Sequence, residues 1–297
     1  MTARVGRSTP KHPLAEVFGY PIDDLSEQAR KARLHRLCPY NNHVPNCTKD
    51  KADDPLGVCS VFEDNKAVIT CPVRFRQDWL VAQHAAEFFF SPGTTWTSLT
   101  EVRLRDAEGN PAGNIDVVLV SYDKTGRLLD FGALEIQAVY ISGNVRHPFE
   151  SYMAHQSPAF DWSDQPLYPR PDYLSSSRKR LAPQLLFKGG ILKSWGKRVA
   201  VALDDSFFAT LPALPEVRRE EADVAWLIYT LERNAENGRF ALRLVKTVYT
   251  EFNASLAAIT VAVPGSMDEF LRVLQQRLNK KLSSQLPISD EGSCVRR

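Results

Sequence analysis

At 297 residues, with 43% hydrophobic and 24% charged side chains, the chain has the composition of a folded globular protein, which excludes disordered, collagenous and low-complexity classes. The length suits one large domain or two small ones, and 37 Lys/Arg against 35 Asp/Glu leave a formal charge of +2, so net charge neither demands nor excludes a polyanionic partner. No apolar run is long enough for a membrane span and the N-terminal segment lacks the apolar core of a secretory signal, so a cytoplasmic protein without membrane contact is expected.

Residues 12–20 (HPLAEVFGY) read as a short amphipathic turn or helix. A basic helix capped by Ser26 or Asp24 follows and runs to about Arg36. A cysteine-bearing stretch occupies the chain to about residue 72. Phe75, Trp79, Ala82, Ala86, Phe89 and Phe90 then recur at three- and four-residue spacing and predict a helix over 75–90. Three strands are expected over 96–106, 114–123 and 132–142, separated by Glu108-Gly109-Asn110-Pro111 and Lys124-Thr125-Gly126. Residues 143–175 are rich in Pro, His, Tyr, Ser and Asp and read as a long functional loop with a short helix. A helix over 175–196, kinked by Pro183 or Gly189-Gly190, leads to a strand over 198–205. Asn237-Gly238 joins AWLIYTLER to FALRLVKTVYTEF as a hairpin, and residues 266–282 form a C-terminal helix ahead of a frayed tail.

The order from 75 to 205 is therefore helix, three strands, helix, strand: a mixed α/β core with a central sheet flanked by helices. The corresponding domains are 1–74 (N-terminal helix and cysteine region), 75–215 (core) and 216–297 (a C-terminal extension available for dimerisation).

Four of the five cysteines, Cys38, Cys47, Cys59 and Cys71, are clustered, and Cys294 stands alone as a free thiol near the tail. In a reducing compartment such a cluster points to a metal. Pro follows Cys38 and Cys71, and Gly57 precedes Cys59, as tight backbone turns around an ion require. The intervening PYNNHVPNCTKDKADDPLG holds too few apolar side chains to fold by burial, and a tetrahedral thiolate site would supply the missing stability. No C-x2-C pair is present. Four unrelated thiols, two disulfides, or His35 or His43 replacing one thiolate are the alternatives.

Acidic residues interrupt the apolar strands: Asp116 in NIDVVLV and Glu135 in ALEIQAV. Carboxylates in such strands are costly unless paired or bound to a cation. Glu135 and Gln137, two apart, share one face of the third strand, and Glu101 on the first strand could reach the same place. Oxygen donors in this number suit Mg2+, which supports hydrolytic phosphoryl chemistry. A solvated strand carboxylate and a strand-end cap are the plainer explanations. Residues 170–198 add eight Lys/Arg, among them Arg178, Lys179, Arg180 and Lys188, against one acid. With Arg146 they are candidates for contact with a phosphate backbone, the alternative being a solvated basic face.

CPYNNHVPNCTKDKADDPLGVCSV, followed by Cys71-Pro72 and by FGALEIQAV, resembles the NotI-type restriction endonucleases over roughly residues 14–200. The shared elements are Cys-Pro-aromatic, Cys-x-Lys, Gly-Val-Cys, a later Cys-Pro, and Leu-Glu-Ile-Gln. The resemblance implies the PD-(D/E)xK nuclease core, αβββαβ, and one structural iron (zinc possible) in a rubredoxin-like site of Cys38, Cys47, Cys59 and Cys71 that places a DNA-facing element. It further implies catalytic roles for Asp116, Glu135 and Gln137, with Glu101 as an upstream carboxylate and Mg2+ held by Asp116 and Glu135. Gln137 replaces the lysine of the wider superfamily; it can orient water but carries no charge. The expected activity is that of a type II enzyme hydrolysing double-stranded DNA as a homodimer at a GC-rich palindrome, alongside a cognate methyltransferase. The rival expectations are a metal-stabilised DNA-binding module without catalysis and a monomeric repair or nicking nuclease of the same core.

Overall fold

The structure is a computed structural model that describes residues 12–41, 43–51, 53–157, 162, 167–262 and 264–283. Cys294, the frayed tail and parts of the 143–175 segment lie outside the described residues. The residues up to Thr260 form one compact unit, and those from Val261 a second.

Of the turn or helix expected over residues 12–20, the structure has the turn, at Phe18–Gly19, and no helix. Leu14–Val17 is strand β1 and Tyr20–Pro21 is β2. All four β1 side chains are buried, which a solvent-facing amphipathic helix would not allow. Glu16 tolerates this because Arg74 neutralises it in the interior, Nε donating to the carboxylate at 3.1–3.2 Å. Helix α1 (Glu27–Leu34) is capped by Ser26, whose hydroxyl accepts from the Ala29 amide. Within the cysteine stretch a further hairpin appears, β3 (Val58–Glu63) and β4 (Lys66–Ile69). Its turn residues Asp64 and Asn65 both have left-handed φ, as a two-residue hairpin turn demands. These strands make an antiparallel sheet in the order β2-β1-β3-β4.

The larger sheet has six strands. After the helical turns of Pro72–Trp79 and helix α2 (Leu80–Phe89) come β5 (Trp96–Arg105), β6 (Pro111–Tyr122) and β7 (Leu128–Gln137). β7 begins earlier than expected and stops at Gln137. The apolar residues beyond it form β8 (Tyr140–Ser142), which pairs instead with β9 (Arg170–Asp172). Between these lies α3 (Arg146–His155). The expected second helix is α4, residues 173–194, continuous but with π turns at Ser177–Leu181 and Leu185–Gly189. Then follow β10 (Val199–Asp204), α5 (Asp205–Phe208), the hairpin β11 (Val224–Arg233) and β12 (Phe240–Thr250), and α6 (Phe252–Thr260). The sequence reading did not anticipate α6.

The sheet order is β12-β11-β10-β7-β6-β5, so the hairpin expected beyond the core completes the same sheet. β7, β10 and β11 run parallel and the other pairs antiparallel. From α2 to β10 the elements of this layer follow the order αβββαβ, interrupted after β7 by the excursion β8–α3–β9. Alternation of β-strand side chains splits the core between two faces. Leu119 and Leu134 pack with Val81, Ala85 and Phe89 of α2, while Val118, Ala133 and Val201 pack with Leu181, Leu185 and Leu192 of α4 and Phe252 of α6. Each such aliphatic side chain, fully buried, contributes about 1.5–3 kcal/mol. Gly132 is required on β7: a Cβ there would stand 2.4 Å from the Phe89 ring.

The second unit carries α7 (Met267–Ser283), none of whose residues is buried. Phe270, Leu271, Leu274, Leu278 and Leu282 make an exposed apolar stripe along it. Among the described residues, no helix is long and apolar enough to cross a membrane.

Candidate active site and cysteine cluster

The carboxylates singled out from sequence meet in one row across three strands. The β6–β7 ladder runs to Val117 opposite Leu134, and its next step sets Asp116 opposite Glu135. On the other side, Thr100 pairs with Val117 and Val102 with Ile115, which sets Glu101 opposite Asp116. The β6–β7 ladder opens at this row: the Ile136 amide donates to Asp116 Oδ2 at 2.8 Å. Glu101 has φ +53, and among the described non-glycine residues with left-handed φ it alone lies inside a strand. Strain of this kind persists where surrounding structure enforces it, and it concentrates at functional sites.

Glu135 is buried, and its Oε1 has no hydrogen-bond partner. Burial and, next, the charge of Asp116 push its pKa up to about 8, against the opposing pull of Lys188. Lys188 reaches it from α4, Nζ donating to Glu135 Oε2 at 2.5 Å and to the Asn114 carbonyl at 2.8 Å. From the same helix, Gln184 Oε1 accepts a hydrogen bond from Gln137 Nε2. Gln137 is buried with Glu135 on the α4 face of the sheet. Of the four expected active-site residues, Glu101 and Asp116 therefore face a cleft while Glu135 and Gln137 lie beneath it, each held by an α4 side chain.

The cleft has a volume of about 970 Å3 and is lined by Glu101, Asp116, Tyr140, Arg146 and Arg180, and by Cys71 and residues of the cysteine loops. The basic residues expected to grip DNA separate into groups. Arg178, Lys179 and Arg180 are exposed on α4, and Arg180 stacks on Tyr140, its guanidinium 4.2 Å from the ring centre. Arg146 is tied to Asp50 and Asp54 at 2.7 and 2.8 Å and so fastens α3 to the cysteine loops. Lys188 is not on the surface at all. Lys193 and Lys197 pair with Asp223 and Asp130.

Cys38, Cys47, Cys59 and Cys71 line one small cavity of about 10 Å3. A bridge between Leu37 and Asn46 draws the first two together, and the β3–β4 hairpin does so for the last two, where the Thr70 amide donates to the Cys59 carbonyl. All four are free thiols. Burial, reinforced by neighbouring thiols, pushes Cys47 up to about 11 and Cys59 well above its ordinary value; Cys38 is raised too. Among the described residues, no three His, Cys, Asp or Glu side chains stand as a ready-made metal cage. The thiols are neighbours around a cavity, not a closed coordination sphere.

The sequence reading missed the inward role of Lys188. The signal was present: Leu181, Leu185, Lys188 and Leu192 follow helical spacing, which puts the lysine in the buried stripe of α4. Gln184 carried no comparable signal.

A six-stranded mixed sheet flanked by helices, with Asp116 beside Glu135 where its ladder opens and a basic helix beside a cleft, defines a mixed α/β protein. The sequence places it more closely. Residues 16–242 match the family model for restriction endonuclease NotI, and the chain belongs to that family. It is accordingly a restriction endonuclease, a site-specific nuclease that acts on double-stranded DNA. No curated protein matches the chain.

Proposed function

We propose that the chain is a type II restriction endonuclease of the PD-(D/E)xK class, dependent on Mg2+ and acting as a homodimer on a GC-rich palindrome. The observation that carries the metal dependence is the unpartnered, buried Oε1 of Glu135 beside Asp116, with Glu101 opposite. A buried carboxylate oxygen without a donor is costly, and a hard cation would satisfy it. Asp116 and Glu135 would hold Mg2+, which when bound polarises the scissile phosphate and lowers the pKa of a water. Gln137, fixed by Gln184, orients the attacking water in line with the leaving oxygen. Glu101 assists from the cleft side. Arg178, Lys179 and Arg180 bear on the phosphate backbone, and hydrolysis leaves a 5′-phosphate and a 3′-hydroxyl.

The cysteine cavity would suit a thiophilic ion, iron or zinc, because four thiols line it. Cys38, Cys47, Cys59 and Cys71 would hold that ion as a structural brace for the loops that wall the cleft. The homodimer follows from the two-fold symmetry of a palindrome. The exposed stripe of α7 suits self-association, since its acidic first turn (Asp268, Glu269) complements its basic last turn (Lys280, Lys281) in an antiparallel pair. A cognate methyltransferase in the host completes this reading.

The test is incubation of the purified protein with unmethylated genomic DNA and Mg2+, with a chelator control. Discrete fragments that vanish with chelator are expected, and sequencing their ends gives the site. Intact DNA that is still retarded in a gel would replace this reading with a binding module. Fragments that persist in chelator would remove the metal from the mechanism.

A further inference from the structure

We propose that Lys188 is a positioning residue of the active site, holding Glu135 by one oxygen so that only the other is presented beside Asp116. The proposal rests on the metal-nuclease reading above. The Lys188 side chain is 5% exposed, as is that of Glu135, so the pair is sealed from water. Its ammonium bridges two strands, contacting Glu135 Oε2 of β7 and the Asn114 carbonyl of β6. This fixes the cation at the point where the β6–β7 ladder opens. The stem passes beside Gly113, whose φ of +120 suits glycine and few other residues.

The helix is built to make this reach. Lys188 lies in the second of the two π turns of α4, and π turns are frequent at functional sites because they re-aim side chains. One turn earlier, Gln184 holds Gln137. Each of the two functional side chains at the end of β7 thus has a dedicated partner on α4, and the partners differ in kind. The neutral Gln137 receives an amide. The carboxyl of Glu135 receives the cation that the Leu-Glu-Ile-Gln motif lacks. With Oε2 engaged, Glu135 has Oε1 alone to offer a divalent ion.

A positioning role and a DNA-gripping role predict opposite results. Lys188→Met keeps the length of the stem and removes the cation. Mn2+ binding, followed by calorimetry on the full chain without DNA, should weaken at least ~10-fold, in line with the usual effect of losing a group that orients a metal ligand. DNA affinity measured without divalent ions should stay within ~3-fold, and the turnover rate at saturating DNA should fall ~100-fold. Unchanged Mn2+ binding, or a loss of DNA affinity that accounts for the lost cleavage, overturns the proposal. Should Lys188→Met fail to fold, Lys188→Gln, which keeps a donor, carries the same three measurements. If the wild-type chain neither binds Mn2+ nor cuts DNA, the metal-nuclease reading falls. If wild type and both variants bind and cut alike, only the role of Lys188 falls.

Discussion

The two larger sheets of the first unit are held together by different means. The six-stranded sheet is covered on both faces by aliphatic and aromatic side chains from α2, α4 and α6, and hydrophobic burial alone gives it a stable core. The four-stranded sheet and the cysteine loops have a smaller apolar cluster and rely on polar fastenings. Arg74 is the main one. Besides Glu16 it donates to the Phe240 carbonyl at 2.9 Å and lies over the Tyr40 ring at 4.2 Å, so one guanidinium ties β1, β12 and the loop after Cys38. Lys49 is another, its ammonium bridging the Val58 and Thr70 carbonyls at 2.6 and 3.1 Å. The difference teaches that the cleft has one self-supporting wall and one wall that depends on charge pairs and thiols.

The largest expected effect separates chemistry from both walls. Asp116→Ala should lower cleavage at least ~1000-fold, about 4 kcal/mol in barrier, while gel-shift binding and melting temperature hold. Loss of DNA binding in parallel would assign Asp116 to the fold instead. Next is Arg74→Met, which leaves Glu16 charged and unpaired in the interior and should destabilise the protein by about 3–5 kcal/mol in denaturant titration. A change under 1 kcal/mol would show that the polar fastening is dispensable.

A matched pair then sharpens the contrast between walls. Leu119→Ala should cost about 2–5 kcal/mol through its cavity, and addition of a strong chelator should lower the melting temperature of this variant as much as that of wild type. Cys59→Ser should lower the melting temperature by about 5 °C or more and abolish the chelator effect. A chelator effect that survives Cys59→Ser would exclude the thiol site. The last effect is confined to acid and concerns His12, whose pKa burial lowers from 6.5 to about 4. The folded state resists its protonation, so its contribution is complete above pH 6.5 and is lost as pH falls towards 4, on the order of 3 kcal/mol at the limit. His12→Gln should flatten that part of the stability profile; an unchanged slope would assign acid sensitivity elsewhere.

The αβββαβ order was legible because periods of 3.6 and 2 are local properties. Asp116 and Glu135 were legible because acids in apolar strands carry a cost that can be read without knowing the partner. What could not be read was which distant charge answers which. Residues 12–20 read as an amphipathic turn or helix because nothing local shows that Glu16 is neutralised inside the fold by Arg74, far along the chain. Lys188 was counted with a basic face although its spacing among Leu181, Leu185 and Leu192 placed it inside. The hairpin β3–β4 was obscured by the cysteines, whose spacing drew attention from the Asp64-Asn65 turn.

Cys71 borders both the thiol cavity and the cleft, and the stretches between the other thiols supply Asn41, His43, Val44, Thr48 and Lys49 to the same wall. A lineage adapting to a new target sequence can thus remodel these intervals, in length as well as in composition, between four anchored points. If the carboxylates of the larger sheet do the hydrolysis, as proposed above, they are left untouched, and target choice and bond breaking are then separately evolvable in this architecture.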